Sequence, residues 1–231
     1  MDVYFVIEEL KLLSTPEHFS KLKHFGINDT KALGVKVPLL RKLAKTIGKN
    51  HSLALSLWNT EIHEARILAS MIASATEMTE NQFDNWVKDF DSWDVCDSTC
   101  DLLSRTPFVR SKIEEYSTHN EEFVKRTAFT LMCELAFHDK KATNESYFHF
   151  FEIIEREAWD NRNFVRKAVN WALRQIGKRN EDLRLIAIET AERIMKQDTK
   201  SARWIATDAL RELNNEKIIE RIKNRVRITG I

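Results

Sequence analysis

Glycine and proline are scarce in this chain: 5 Gly and 3 Pro among 231 residues. A fold built from strands needs many tight turns, and turns draw heavily on these two types, so the shortage argues against an all-β protein. Leu, Ala, Glu, Lys and Arg are abundant instead, and these have the best helix propensities. Cysteine is sparse as well. Three thiols in a chain long enough to bury a sizeable core read as reduced side chains, and a cytoplasmic setting is the expectation. No apolar run approaches the ~18 residues of a membrane span. The amino terminus, MDVYFVIEELKLL, lacks the basic start and small-residue cleavage site of a secretion signal and reads as an amphipathic first helix.

Several kinds of chemistry are also missing. There is no glycine-rich phosphate loop, no HExxH and no Ser-His-Asp order. Cys96 and Cys100 stand four apart with no histidine at metal-ligand spacing, and His138 and His149 are isolated. Neither a metal nor a cofactor is expected.

The charge that is present is unevenly placed. Residues 160–231 hold 17 Lys and Arg against 10 Asp and Glu, while residues 1–159 hold 19 against 25. A basic final third on an acidic remainder suits a polyanion lying against one region, and equally a well-solvated surface.

An internal repeat organises the chain. FVKRTAFTLMCELA (123–136) aligns with FVRKAVNWALRQIG (164–177), 41 residues on; EARILASMIASA (64–75) and ARWIATDALREL (202–213) fit the frame more loosely. That spacing lies within the ~40–47 residues of HEAT or armadillo repeats. Short polar breaks before His51, at 119–120 and near 180 separate the helices, with no long linker. The expectation is an all-α protein: a single domain, 1–231, forming a right-handed α-solenoid of HEAT-like or armadillo-like repeats with a concave groove.

Turning ~100° per residue places side chains on helix faces. Over 93–105, Val95, Thr99, Leu102 and Leu103 form the apolar stripe, and Trp93 and Asp97 fall together on the other side. Over 121–136 the stripe is Val124, Ala128, Leu131 and Leu135, with Arg126 pointing away. Over 162–178 it is Val165, Ala168, Val169, Ala172, Leu173 and Ile176; Trp171 lies off it, on the polar side with Lys167, Arg174 and Lys178. Three repeat helices thus aim an aromatic, a carboxylate or an arginine away from the core. Asp91, Ser92 and Asp94 suit a helix cap and first turn. A tryptophan off the stripe can also pack on a neighbouring repeat, and Trp58, Trp86, Trp159 and Trp204 are read as packing residues.

At these residues the sequence resembles the AlkD family of HEAT-repeat DNA alkylation repair glycosylases. LGVKVPLLRKLAK (33–45), SWDVCD (92–97), VKRTA (124–128) and KAVNWALRQ (167–175) match that family's segments in order and spacing. The resemblance implies that Trp93 and Trp171 are cleft tryptophans, Asp97 the catalytic aspartate and Arg126 the DNA-backbone contact. It implies excision of cationic N3- and N7-alkylated purines, such as 3-methyladenine and 7-methylguanine, from double-stranded DNA without metal or cofactor. Two departures stand out: Lys125-Arg126 replaces a double arginine, and WALRQI replaces an acidic and aromatic ending.

Those residue types suit that chemistry. Breaking the glycosidic bond of an alkylated purine releases a neutral base and leaves oxocarbenium character on the sugar, which a carboxylate stabilises. Tryptophan faces attract the cation, and Arg126, with Lys125, Lys167, Arg174 and Lys178, supplies candidate phosphate contacts. No lysine is placed as a Schiff-base nucleophile, so a monofunctional hydrolase is expected; a monomer, nucleoid-associated when on DNA, is the further expectation. The rival is a non-catalytic HEAT scaffold that binds DNA structures or a protein partner.

Overall fold

A computed structural model describes residues 2–229, with side chains through 224. Among the described residues all regular structure is helical, as the shortage of turn formers leads one to expect. The chain divides into two compact units, 1–109 and 110–231. The first holds α1 (Val3–Leu13), α2 (Pro16–Leu22), α3 (Val37–Ile47), α4 (His51–Trp58), α5 (His63–Ile72), α6 (Glu80–Lys88) and α7 (Trp93–Leu103). From the boundary onward run α8 (Val109–Ser117), α9 (Glu122–His138), α10 (Phe148–Glu157), α11 (Asn163–Gly177), α12 (Glu181–Met195), α13 (Lys200–Leu213) and α14 (Glu216–Thr229). No helix among the described residues is long and apolar enough to cross a membrane.

The polar breaks between helices do chemical work. Asn50 and Asn180 cap α4 and α12 by accepting from Leu53 N and Leu183 N, both at 3.0 Å. Thr79 and Gln82 form a reciprocal capping box at α6. Each cap satisfies a helix N–H that would otherwise lack a partner.

In the first unit α5 packs against α3, α4 and α7; in the second α9 lies on α11, and α11, α12 and α13 pack on one another. Polar bonds between layers recur at fixed offsets. Leu33 to Glu64, Trp58 to Asp89 and His63 to Asp94 each span 31 residues. In the second unit Arg126 to Phe164, Asn144 to Asp182, Asn170 to Asp208 and Arg174 to Glu212 each span 38. A constant offset is what stacked similar repeats produce. Phe123 and Phe164, which open the two best sequence copies, meet with ring centroids 5.3 Å apart.

The apolar stripes of α7 and α11 are buried as read. Helix α9 departs from a one-faced pattern. Every residue from Val124 to Ala136 is buried, Lys125 and Arg126 included. The first helix is nearly the reverse: only Val6 and Leu10 are buried, while Tyr4 is 82% exposed. Trp58 and Trp86 stack at 4.0 Å inside the first unit, as packing residues should. Trp159 and Trp204, read the same way, are 53% and 38% exposed. Cys96, Cys100 and Cys133 form no disulfide and have no exposed surface.

Two glycines mark close approaches. A Cβ on Gly177 would lie 2.8 Å from Ala187 Cβ and 3.0 Å from a Leu213 methyl, so its absence lets α11 close on α12 and α13. Gly34 has φ +84° and would bring a Cβ within 2.8–3.0 Å of Phe19. The segment around it is held by a buried carboxylate. Glu64 accepts from Leu33 N (2.8 Å), Gly34 N (2.6 Å) and Val35 N (3.1 Å). This explains the LGV of the 33–45 motif as a loop fastened to α5. Glu64→Gln puts an amide N–H₂ against backbone donors, and about 2–3 kcal/mol of stability is the expected loss, measured by urea denaturation. A loss below about 0.5 kcal/mol would show the loop to be held by other means.

Candidate functional site

In the first unit the site is built on α7. Ser92 is the N-cap by position, but its hydroxyl makes no cap bond. Asp94 stands in the first turn and accepts from Val95 N at 3.0 Å, and it and Asp91 also reach other elements. Asp91 accepts from Asn28 Nδ2 at 2.7 Å, and Asp94 meets His63 Nε2 at 2.9 Å. The indole N–H of Trp93 donates to Phe25 O at 2.9 Å. Three bonds thus tie the start of α7 to the η1 turn (Lys23–Phe25), the loop after it and α5. Burial opposes charge on His63, and the bond to Asp94 with the carboxylates of Glu64 and Asp91 outweighs it, so its pKa stands above the usual imidazole value. Trp93 and Asp97, one turn apart, are both half-buried, while Val95, Cys96, Thr99 and Cys100 between and behind them are fully buried.

The remaining predicted residues belong to the second unit. Arg126 is 5% exposed and donates from Nη1 to Phe164 O at 2.7 Å, binding α9 to the first turn of α11. Lys125 is 2% exposed. Its ammonium lies 2.6 Å from Glu157, 3.1 Å from Asp160 and 4.8 Å from the centre of the Trp159 ring. Asp160 also binds the Arg162 guanidinium and its backbone N–H. Burial raises the Asp160 pKa, but Arg162 and Lys125 overcome this and lower it to about 2. Lys125, expected at a phosphate, therefore has its charge committed to carboxylates inside the unit.

Trp171 is half-buried, its ring centroid 6.5 Å from that of Phe137. Lys167 is exposed on the same helix. Arg174 and Lys178 both reach Glu212 of α13, Lys178 at 2.6 Å, and Arg174 also lies 3.5 Å from Asp208. Burial raises the Glu212 pKa, yet Lys178 and Arg174 bring it below the usual glutamate value. Arg174 and Lys178 are thus paired with the carboxylates of α13.

Helix faces and the family resemblance group Trp93 and Asp97 with the other six; by unit, these two belong to the first and the other six to the second. Sequence reasoning missed the α7 fastenings, because His63, Asn28 and Phe25 lie 31–68 residues from their partners. It also missed that Trp204 is a surface residue, its ring 5.1 Å from the Arg166 guanidinium. An exposed Trp beside Arg is visible only once α11 and α13 are neighbours.

Comparison with known proteins places the chain. No curated protein matches it. A solved structure, described as "A new family of proteins related to the HEAT-like repeat DNA glycosylases with affinity for branched DNA structures", is similar with a TM-score of 0.77. The likeness covers 92% of this chain and 95% of that one at 20% identity, and shows a HEAT-like repeat fold. The model of the DNA alkylation repair enzyme family matches residues 6–213. The chain belongs to that DNA alkylation repair enzyme family.

Proposed function

We propose that this protein is a monofunctional DNA glycosylase that hydrolyses the N-glycosidic bond of cationic N3- or N7-alkylated purines in duplex DNA. The observation that carries the reading is the half-buried Trp93–Asp97 pair, set on the face of α7 opposite its buried stripe. In the reaction the C1′–N bond breaks, its electrons neutralise the departing cationic base, and water adds at C1′ with loss of a proton. Asp97 stabilises the positive charge that grows on the sugar or orients the water. At an effective dielectric of ~20 a carboxylate ~4 Å away contributes about 4 kcal/mol. Trp93 adds a cation–π attraction of ~0.5–2 kcal/mol. The bond to Phe25 O keeps the Trp93 indole from turning, which favours a preformed aromatic face.

Backbone contacts fall to the second unit. Lys167 reaches phosphate at least cost because it is exposed. Arg174 and Lys178, paired with Glu212, contribute where phosphate competes with that carboxylate. Arg126 acts from a nearly buried position at the start of α11, and Lys125 stiffens that end of α9 through its carboxylates.

A second reading is a protein that binds branched DNA without excision, favoured by the affinity described for the structural neighbour. The two separate in one experiment. Duplex DNA carrying 7-methylguanine is incubated with the full chain, released base is measured by chromatography, and binding to a four-way junction is measured in parallel. Base release above the protein-free control is the expected result. Tight junction binding with no release would replace the glycosylase reading by the second.

A further inference from the structure

We propose that a basic cavity in the second unit binds a phosphodiester of the DNA backbone, as an anchor beside Trp171. The proposal rests on the reading that DNA is the partner. The cavity holds about 230 Å³ and is lined by Lys140, Lys178, Arg179 and Arg221, with Glu212 as its one carboxylate and Phe137 on its wall. Lys140 follows α9, Lys178 and Arg179 follow α11, and Arg221 comes from α14. Four cations from three places in the chain therefore surround one space.

Their partners decide what charge is left for a ligand. Arg179 donates to Ala136 O at 2.7 Å and Asp139 O at 2.9 Å, and stacks over Tyr147 with its guanidinium carbon 4.6 Å from the ring centre. It offsets the negative carbonyl end of α9 and is fixed in place. Glu212 faces both Arg174 and Lys178, so it does not cancel the remaining charge. Lys140 and Arg221 are exposed, and among the described residues neither forms an ion pair with a carboxylate. The lining carries four cations against one carboxylate. Ile218, Ile222 and Phe137 form the apolar part of the wall, and low polarity there strengthens the attraction for an anion.

A phosphodiester fits this charge, size and setting. The Phe137 ring joins the cavity to Trp171, their centroids 6.5 Å apart. A strand anchored at Lys140 and Arg221 would thus run its next nucleoside along the aromatic pair. Lys140 and Arg221 add contacts that neither the repeat alignment nor the helix-face pattern identified.

The test is the double substitution Lys140→Gln with Arg221→Gln in the full chain, measured for affinity to a methylated duplex over a range of salt. Kd is expected to rise about tenfold at low salt, and the slope of log affinity against log salt to shrink by about 1. A control pair, Lys88→Gln with Lys196→Gln, removes the same net charge from exposed positions at the ends of α6 and α12 and should stay within about twofold of wild type. Equal losses in the two pairs would reduce the effect to net charge and overturn the cavity site. Wild-type-like binding by the Lys140/Arg221 variant would overturn it while leaving the DNA reading intact. A wild type that binds no DNA would overturn both. Inorganic phosphate provides the last arm: if it raises the melting temperature of wild type but not of the variant, while DNA affinity is the same in both, the cavity is a free-anion site and the DNA assignment fails.

Discussion

Asp97→Asn should reduce release of 7-methylguanine by about a thousandfold while leaving DNA binding intact or slightly tighter. The size follows from the charge it removes. About 4 kcal/mol of electrostatic stabilisation of the oxocarbenium-like sugar corresponds to roughly three decades in rate, at about 1.4 kcal/mol per decade. Binding moves the other way because the substitution takes a negative charge from a surface that meets phosphates. The replacement is nearly isosteric and Asp97 is only half-buried, so the fold tolerates it. Asp101→Asn, one turn further along α7 at a residue paired with Arg105, serves as the comparison and should stay near the wild-type rate. Release by Asp97→Asn within threefold of wild type would remove Asp97 from the chemistry. A loss shared equally by Asp101→Asn would point to general damage to α7.

The largest stability effect is expected from Lys125→Met. Lys125 stands between Glu157 and Asp160 with all three side chains nearly buried. Removing one partner from a buried ion cluster costs about 3–5 kcal/mol, because the carboxylates stay behind in a poorly solvating environment. In a chain of this length that corresponds to a fall of about 10 °C in melting temperature. Asp160 supplies a pH signature. Its carboxyl is held from 3.8 down to about 2, so it contributes stability above pH ~4 that is lost as the pH falls toward 2. The depression amounts to about 2 kcal/mol. In Lys125→Met the pKa of Asp160 should rise, although Arg162 still binds it. Acid unfolding should then begin at higher pH. A variant that melts within about 2 °C of wild type with an unchanged acid limb would show the cluster to be dispensable.

The stripes of α7 and α11 could be read from the chain because each of these helices buries one side, and periodicity records one-sided burial faithfully. Helix α9 could not. It is packed all round, and a period carries no information when every face is inside. Arg126 consequently read as pointing outward, whereas it reaches the Phe164 carbonyl. Lys125 posed a related difficulty. Its partners lie 32 and 35 residues away, and nothing local distinguishes a lysine bound for a buried cluster from a solvated one. Asp94 stands in the first turn of α7, as its place in the sequence suggests, but the ties of Asp91 to Asn28 and of Asp94 to His63 span 63 and 31 residues and leave no local signal. Trp159 and Trp204 were read as packing residues by size alone, and the surface they occupy emerges only when α9, α11 and α13 are assembled. Trp93 and Asp97 were legible because α7 is half-exposed and their spacing is one helical turn.

Alkylating agents attack thiolates as well as purines, and cysteine is commonly the softest nucleophile a protein offers. Cys96, Cys100 and Cys133 have no exposed surface, and two of them lie on the same helix as Asp97. A methylating electrophile reaches them only when the surrounding helices open. A repair protein built in this way can remain intact under agents that damage DNA, with its own resistance set by how seldom the helices around each thiol come apart.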